Sequence, residues 1–235
     1  AVPERLGGDG LGLAEVATAL TEIGRHGTTG PALATLGLGL VPLLELASPR
    51  RVLLLARRQR WTANLGIVLI NTVVVRLVFP TAAVGMAVIG AERGWGLLNN
   101  FAMPFWLAVA LAVVAMDFVI WLQHVMVHAV PAFWRLHRVH HADVDYDLTT
   151  GARFHPIEII LSMGIKFATI TLLGAPVLAV VIFEVLLSAC AMFNHGNFRL
   201  PAALDRVLRW LLVTPDMHRV HHSVEDDESN SNFGF

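Results

Sequence analysis

PFWLAVALAVVAMDFVIWLQHVMVHAVPAFWRLHRVHH, residues 104–141, is the stretch on which the fold turns. Its first twenty residues carry one charge, Asp117, and are long enough to cross the hydrocarbon core of a bilayer as a helix. They run straight into His124 and His128, one turn apart, and then into the HxxHH of His137, His140 and His141. Pro131 is well placed to start the helix that carries this HxxHH. On a helix, positions i, i+3 and i+4 share one face, so HxxHH presents three imidazoles together. The same spacing returns at His218, His221 and His222. Eight of the eleven histidines thus fall in three clusters, and imidazole is a favoured ligand of iron, zinc and copper. Helix packing makes no demand for eight imidazoles, and unpaired they are costly to bury. The pattern predicts a metal site.

Outward from that stretch the chain is strongly apolar: 55% hydrophobic residues, mean hydropathy +0.62 and net charge −1 over 235 residues. The expected fold is all-α, a polytopic membrane protein with about four to five membrane-embedded helices. A near-neutral charge argues against nucleic acid as a partner. Residues 30–48, with Glu45 near the end, form a marginal first span. Residues 62–91 exceed one span and are interrupted by Arg76 and Pro80; an arginine there must face protein, water or a helix end. Residues 157–193 read as a hairpin of two spans broken at Gly174, Ala175 and Pro176. Between the first two runs stand Arg50, Arg51, Arg57, Arg58 and Arg60, read as a cytoplasmic loop, with Trp61 as an interfacial anchor. With that loop inside, all three histidine clusters reach the cytoplasmic face, where Arg135, Arg138 and Arg153 agree with the assignment.

The remaining segments are less informative. Residues 1–29 are read as an extramembrane segment without a cleavable secretory leader, with His26 ending a short helix. Residues 30–103 hold N-terminal spans and the basic loop, and 104–235 form the catalytic-like domain, its C-terminus open to truncation. Cys190 is read as a small buried apolar residue. Residues 200–213 suit an amphipathic interfacial helix, and Thr214, Pro215 and Asp216 suit the start of the helix bearing His218. EDDESNSN reads as solvated tail.

Taken in order, HxxxH at 124–128, WRLHRVHH at 134–141, RFHPIE at 153–158, NHGN at 194–197, TPDMHRVHH at 214–222 and NFGF at 232–235 form a recognisable series. The series resembles the sterol desaturase/fatty acid hydroxylase superfamily of integral-membrane di-iron oxygenases, over about half the chain from Asp117 to Phe235. The resemblance implies two iron ions that activate dioxygen to hydroxylate or desaturate a sterol, fatty acyl or related lipid. It carries over His124, His128, His137, His140, His141, His218, His221 and His222 as metal ligands, with His195 as a ninth. Nine imidazoles suit two metals at four or five each. Electrons are expected from a separate reductase, ferredoxin or cytochrome-type donor, since the sequence shows no haem domain or flavin motif. The expected location is the cytoplasmic membrane of a bacterium or the endoplasmic reticulum of a eukaryote, with the lipid entering laterally from the bilayer.

Several residues keep two readings. His155 is a tenth ligand, an outer donor or a structural histidine beside Pro156. Asp117, seven residues before His124, and Glu184, eleven before His195, are placed either to orient a ligand imidazole or to be satisfied by a neighbouring side chain. Asn194 and Asn197 either hold a metal-bound water or cap the turn. The histidines alone leave the metal open, although activating oxygen needs a redox metal, which zinc is not. A membrane zinc enzyme is the alternative; no HExxH, or glutamate between paired histidines, supports it. A non-enzymatic haem or metal carrier leaves most of the histidines unexplained.

Overall fold

The computed structural model describes residues 40–143 and 145–234. The expected extramembrane segment 1–29, with His26, and most of the first span lie outside them. The described residues are helical, with one isolated bridge between Pro49 and Phe198. After a helical stretch at residues 40–47 come α1 (Arg57–Val78), α2 (Ala83–Glu92), α3 (Leu97–Asn100), α4 (Phe105–Ala129) and α5 (Pro131–His141). A 3-10 turn (Thr150–Ala152) then leads to α6 (Pro156–Leu173), α7 (Val177–Asn194), α8 (Ala202–Leu208), α9 (Pro215–His221) and α10 (Asp226–Ser229). Among the described residues, four helical segments are long and apolar enough to cross a membrane: Arg57–Asn100, α4, α6 and α7.

Local chemistry sets the boundaries. Prolines 131, 156 and 215 occupy first turns, where a missing N–H costs nothing. Pro80 breaks the first segment and holds Phe79 extended, at φ −113° and ψ 116°. α6 stops at Gly174, which adopts φ 68°. There the chain meets Gly96 so closely that a Cβ on Gly96 would lie 2.1 Å from the Gly174 nitrogen.

The core lies where α2, α4, α6 and α7 meet. Ala83, Ala87, Ala112 and Ala179 let the helices approach, and Met116, Ile170 and Phe183 fill the space between them. Leu69, Leu77, Trp106, Phe118 and Leu172 face outward and exposed, as lipid-facing side chains do. At the end of the bundle where α4 and α7 finish and α6 begins, α5, α8, α9, α10 and the loops form a polar layer.

Contacts in that layer refine the sequence reading. Residues 40–47 pack onto it: Val41 joins Leu148 and Phe198, and the buried Glu45 Oε1 accepts from the backbone N–H of Leu148 and Asn197. Within the basic loop Arg60 turns inward. It is 4% exposed and donates to Asp143, Asp147 and the carbonyl of Asp145, while Arg50 pairs with Asp216. Trp61 donates through its indole N–H to Asp147 at 3.1 Å, which ties the start of α1 to the same loop. The acidic tail folds into α10 and turns back through Asn232, at φ 52°, a conformation asparagine tolerates. The interfacial helix is shorter than expected, Ala202–Leu208, with Leu204 and Val207 exposed, and Cys190 is half-buried.

Candidate metal centre

Four helices bring nine histidines together. α4 contributes His124 and His128 from its last turns, and α5 contributes His137, His140 and His141. His195 caps the C-terminus of α7, and α9 carries His218 and His221, with His222 as its cap. Their ring nitrogens form two groups, each with all its nitrogens within 4.8 Å of one another. One group holds His124, His128, His137, His141 and His221; the other holds His140, His195, His218 and His222.

Each HxxHH is split between the groups. His137 and His141 enter the first and His140 the second, whereas His218 and His222 enter the second and His221 the first. The helix explains why: position i+3 sits about 60° to one side of i, and i+4 about 40° to the other. Two facing helices with this spacing therefore span two adjacent sites.

The donor set fits metal ions. His221 Nε2 lies 3.0 Å from His124 Nε2, and His195 Nε2 lies 3.1 Å from His140 Nε2 and 3.2 Å from His218 Nε2. Two nitrogens at about 2.1 Å from one ion, at right angles, stand roughly 3.0 Å apart. Buried Nε2 atoms of His128, His137, His141 and His222 have no hydrogen-bond partner. Uncompensated buried nitrogens are costly unless a cation takes their lone pairs.

The opposite ring edges are anchored. Nδ1–H of His124 donates to the Phe233 carbonyl (2.8 Å), that of His221 to Ser231 (2.7 Å) and that of His195 to Ala191 (2.7 Å). His137 Nδ1–H donates to Glu158 Oε1 at 2.6 Å, with both side chains buried. Each bond fixes the tautomer that leaves Nε2 free to face the other histidines. Burial, reinforced by neighbouring imidazoles, lowers His195 to about 4 and His141 to about 2. It pushes His137, His140, His218 and His222 well below the ordinary histidine range. At neutral pH these rings are uncharged, as ligands must be.

Aromatic rings close the cluster. Phe154 stacks on His140 (centroids 4.4 Å, 9°), and Phe233 packs edge-on against His124, His128 and His221. Tyr146 lies over His195, with its hydroxyl donating to the Asn194 carbonyl and the Arg219 guanidinium 5.1 Å from its ring centre.

The residues with two readings separate. His155 lies outside both groups; its Nδ1 accepts from the Ile157 N–H and so caps α6. Glu184 forms an ion pair with Lys166 at 2.7 Å, so the backbone carbonyl of Ala191, not Glu184, orients His195. Asp117 is exposed and hydrogen-bonds nothing among the described residues; it sits two turns below His124, whose Nδ1 is taken by Phe233. Asn197 is pinned to the backbone of Arg51 through both ends of its amide. Asn194 is buried with Oδ1 unpartnered, and its carbonyl accepts from Tyr146. Glu158, Phe154, Phe233 and Tyr146 were not singled out from the sequence. RFHPIE and NFGF contain three of them, and the one tyrosine of the chain is the fourth.

A cleft of about 500 Å³ opens between α1 and α6, and Phe154 is part of its wall.

Residues 109–235 match the family model described as fatty acid hydroxylase. The chain is 27% identical over 131 residues to the ornithine lipid hydroxylase OlsE of Rhizobium tropici, covering 56% of this chain and 39% of that protein. It is 33% identical over 113 residues to the alkylglycerol monooxygenase of Xenopus tropicalis, covering 48% and 24% respectively. A 47-residue stretch is 79% identical to part of the acyl-CoA dehydrogenase FadE28 of Mycobacterium tuberculosis; at 14% of that protein, it is too little to carry its activity. The chain spans well under half the length of each of these relatives. No solved structure matches.

Proposed function

Because the chain belongs to the fatty acid hydroxylase family, we propose that it is a membrane-bound di-iron oxygenase that hydroxylates a lipid taken from the bilayer. One observation carries the reading: nine neutral imidazoles, five of them buried and four partly buried, sorted into groups of five and four, with nitrogens as close as 3.0 Å. Two irons held there supply the redox chemistry that activates dioxygen, which zinc lacks. His124, His128, His137, His141 and His221 hold one ion, and His140, His195, His218 and His222 the other. Glu158 and the carbonyls of Ala191, Ser231 and Phe233 keep the rings oriented, while Phe154, Tyr146 and Phe233 exclude water.

In the net reaction one oxygen atom enters a C–H bond of the lipid and the other leaves as water. Two electrons and two protons come from a separate donor of reductase, ferredoxin or cytochrome type. The relatives named as a lipid hydroxylase and a monooxygenase favour hydroxylation over desaturation. The site belongs on the cytoplasmic face, because Arg51, Arg58, Arg135 and Arg138 stand exposed at that end of the bundle.

The test is metal analysis of detergent-purified protein expressed with iron, beside a variant with His137, His140 and His141 all changed to Ala. About two irons per chain, abolished in the variant, with oxygen uptake coupled to a hydroxylated lipid, is the expected outcome. Tight zinc with no oxygen uptake after iron reconstitution would transfer the assignment to a zinc enzyme.

A further inference from the structure

The cleft between α1 and α6 differs from the lipid-facing surface around it. Three polar features meet there. Asn71 is 7% exposed; its Nδ2 donates to the Phe154 carbonyl at 2.9 Å, and its Oδ1 is buried with no partner. Arg76 lines the same cleft from an apolar helix and makes no ion pair or hydrogen bond through its side chain among the described residues. The break at Pro80 brings Thr81 and Ala82 to the cleft at the start of α2, whose cap residue Ala82 offers no capping side chain. The first N–H groups of a helix have no partner within it and favour an anion. A buried acceptor lacking a donor and uncapped amides are unfavourable in an apolar surrounding without a partner, and Arg76, exposed in the last turn of α1, sets an unpaired cation beside them.

The rest of the wall is apolar, with Val75, Ile159 and Met163 between α1 and α6. At the inner end stands Phe154, whose other face stacks on His140. One aromatic ring separates the cleft from the histidines.

We propose that this cleft binds the polar end of an anionic lipid that also carries a hydroxyl or amine. Its acidic group, phosphate or carboxylate, lies on Arg76 and the start of α2. Its hydroxyl or N–H donates to Asn71 Oδ1, and the first carbons of its chain lie on Val75, Ile159, Met163 and Phe154. The carbons brought towards His140 are then those near the polar end of the lipid, not its terminal methyl. Only this last step rests on the oxygenase reading; the binding does not.

Native mass spectrometry of the purified full chain can compare oleoyl-lysophosphatidylglycerol, which has the phosphate and hydroxyls, with uncharged monoolein. The wild type is expected to retain the lysophospholipid about tenfold better, and Arg76→Leu to abolish that preference, the loss expected for a charge-assisted hydrogen bond. Arg76→Lys should keep most of it. Asn71→Leu should weaken lysophospholipid binding several-fold, with helical circular dichroism and iron content monitoring the fold. A diazirine placed early in the acyl chain should label Phe154, Ile159 or Met163. Equal retention of the two lipids by the wild type overturns the proposal. So does an unchanged preference in Arg76→Leu, or labelling confined to other helices. Because binding is read without turnover, an inactive protein that keeps the preference counts against the oxygenase alone. Hydroxylation confined to the chain terminus would count against the oxidised position alone.

Discussion

Glu158 illustrates how much of a metal site lies outside its ligands. It stands in the first turn of α6, two positions after the proline that starts the helix, and its Oε1 accepts the hydrogen bond of His137 Nδ1–H at 2.6 Å. Replacing it with Ala leaves His137 free to rotate and to change tautomer. The expected result is a 10- to 100-fold loss of metal affinity, read by titrating iron into metal-free protein; an unchanged affinity would remove Glu158 from the site. Gly151 acts on His195 from the opposite side. A Cβ there would stand 3.0 Å from both His195 Nδ1 and the Ala191 oxygen that holds it. Gly151→Ala should therefore push His195 out of register and lower iron occupancy of the four-histidine group. Mössbauer spectra would show two unequal populations, whereas two normally filled irons would show that the ring adapts.

The loop from Asp143 to Ala152 connects α5 to the centre and depends on a cation from another element. Arg60, on the first turn of α1, bonds Asp143 and Asp147, while Asn64 donates to Asp143 and Thr149. The same loop carries Tyr146 over His195. Arg60→Met strands two buried carboxylates, a change that typically costs about 3–5 kcal/mol. The iron-loaded protein should show a clear fall in its unfolding temperature, whereas exposed Arg58→Met should shift it little. Equal effects from the two arginines would make the network ordinary surface charge. This dependence also explains why Arg60 could not be told from its neighbours: five arginines beside apolar segments look alike in sequence, and burial of Arg60 is decided by aspartates 83 and 87 positions away.

Across the whole molecule the helical bundle and the histidine layer meet at the site as well as through the polar contacts of α1. α4, α6 and α7 pack through small residues and apolar side chains, but α5 and α9 present three and two of their imidazoles to the centre, with His222 at the α9 cap. Without ions several of their ring nitrogens, among them Nε2 of His137, His141 and His222, are buried without partners, so metal binding should stabilise the folded chain. Iron-loaded protein is expected to unfold at a higher temperature than chelated protein, by an amount that grows with free metal concentration. Identical unfolding with and without chelator would mean that the histidines are satisfied among themselves.

The sequence determined by itself whatever depends on near neighbours in the chain. Apolar run length marked α4, α6 and α7 as spans, Pro131 and Pro215 marked helix starts, and Gly174 marked the hairpin turn. Histidines three and four apart had to share a helix face, so three clusters were legible before any contact was known. The tertiary structure decided which imidazoles share a group, splitting both HxxHH motifs between two groups, because that partition depends on how α5 and α9 face each other. It also chose Glu158 over Glu184 and Asp117 as the carboxylate beside a histidine, and made His155 a cap. Spacing on one helix is set by backbone geometry, whereas a hydrogen-bond partner from another helix is set by packing that no local pattern encodes.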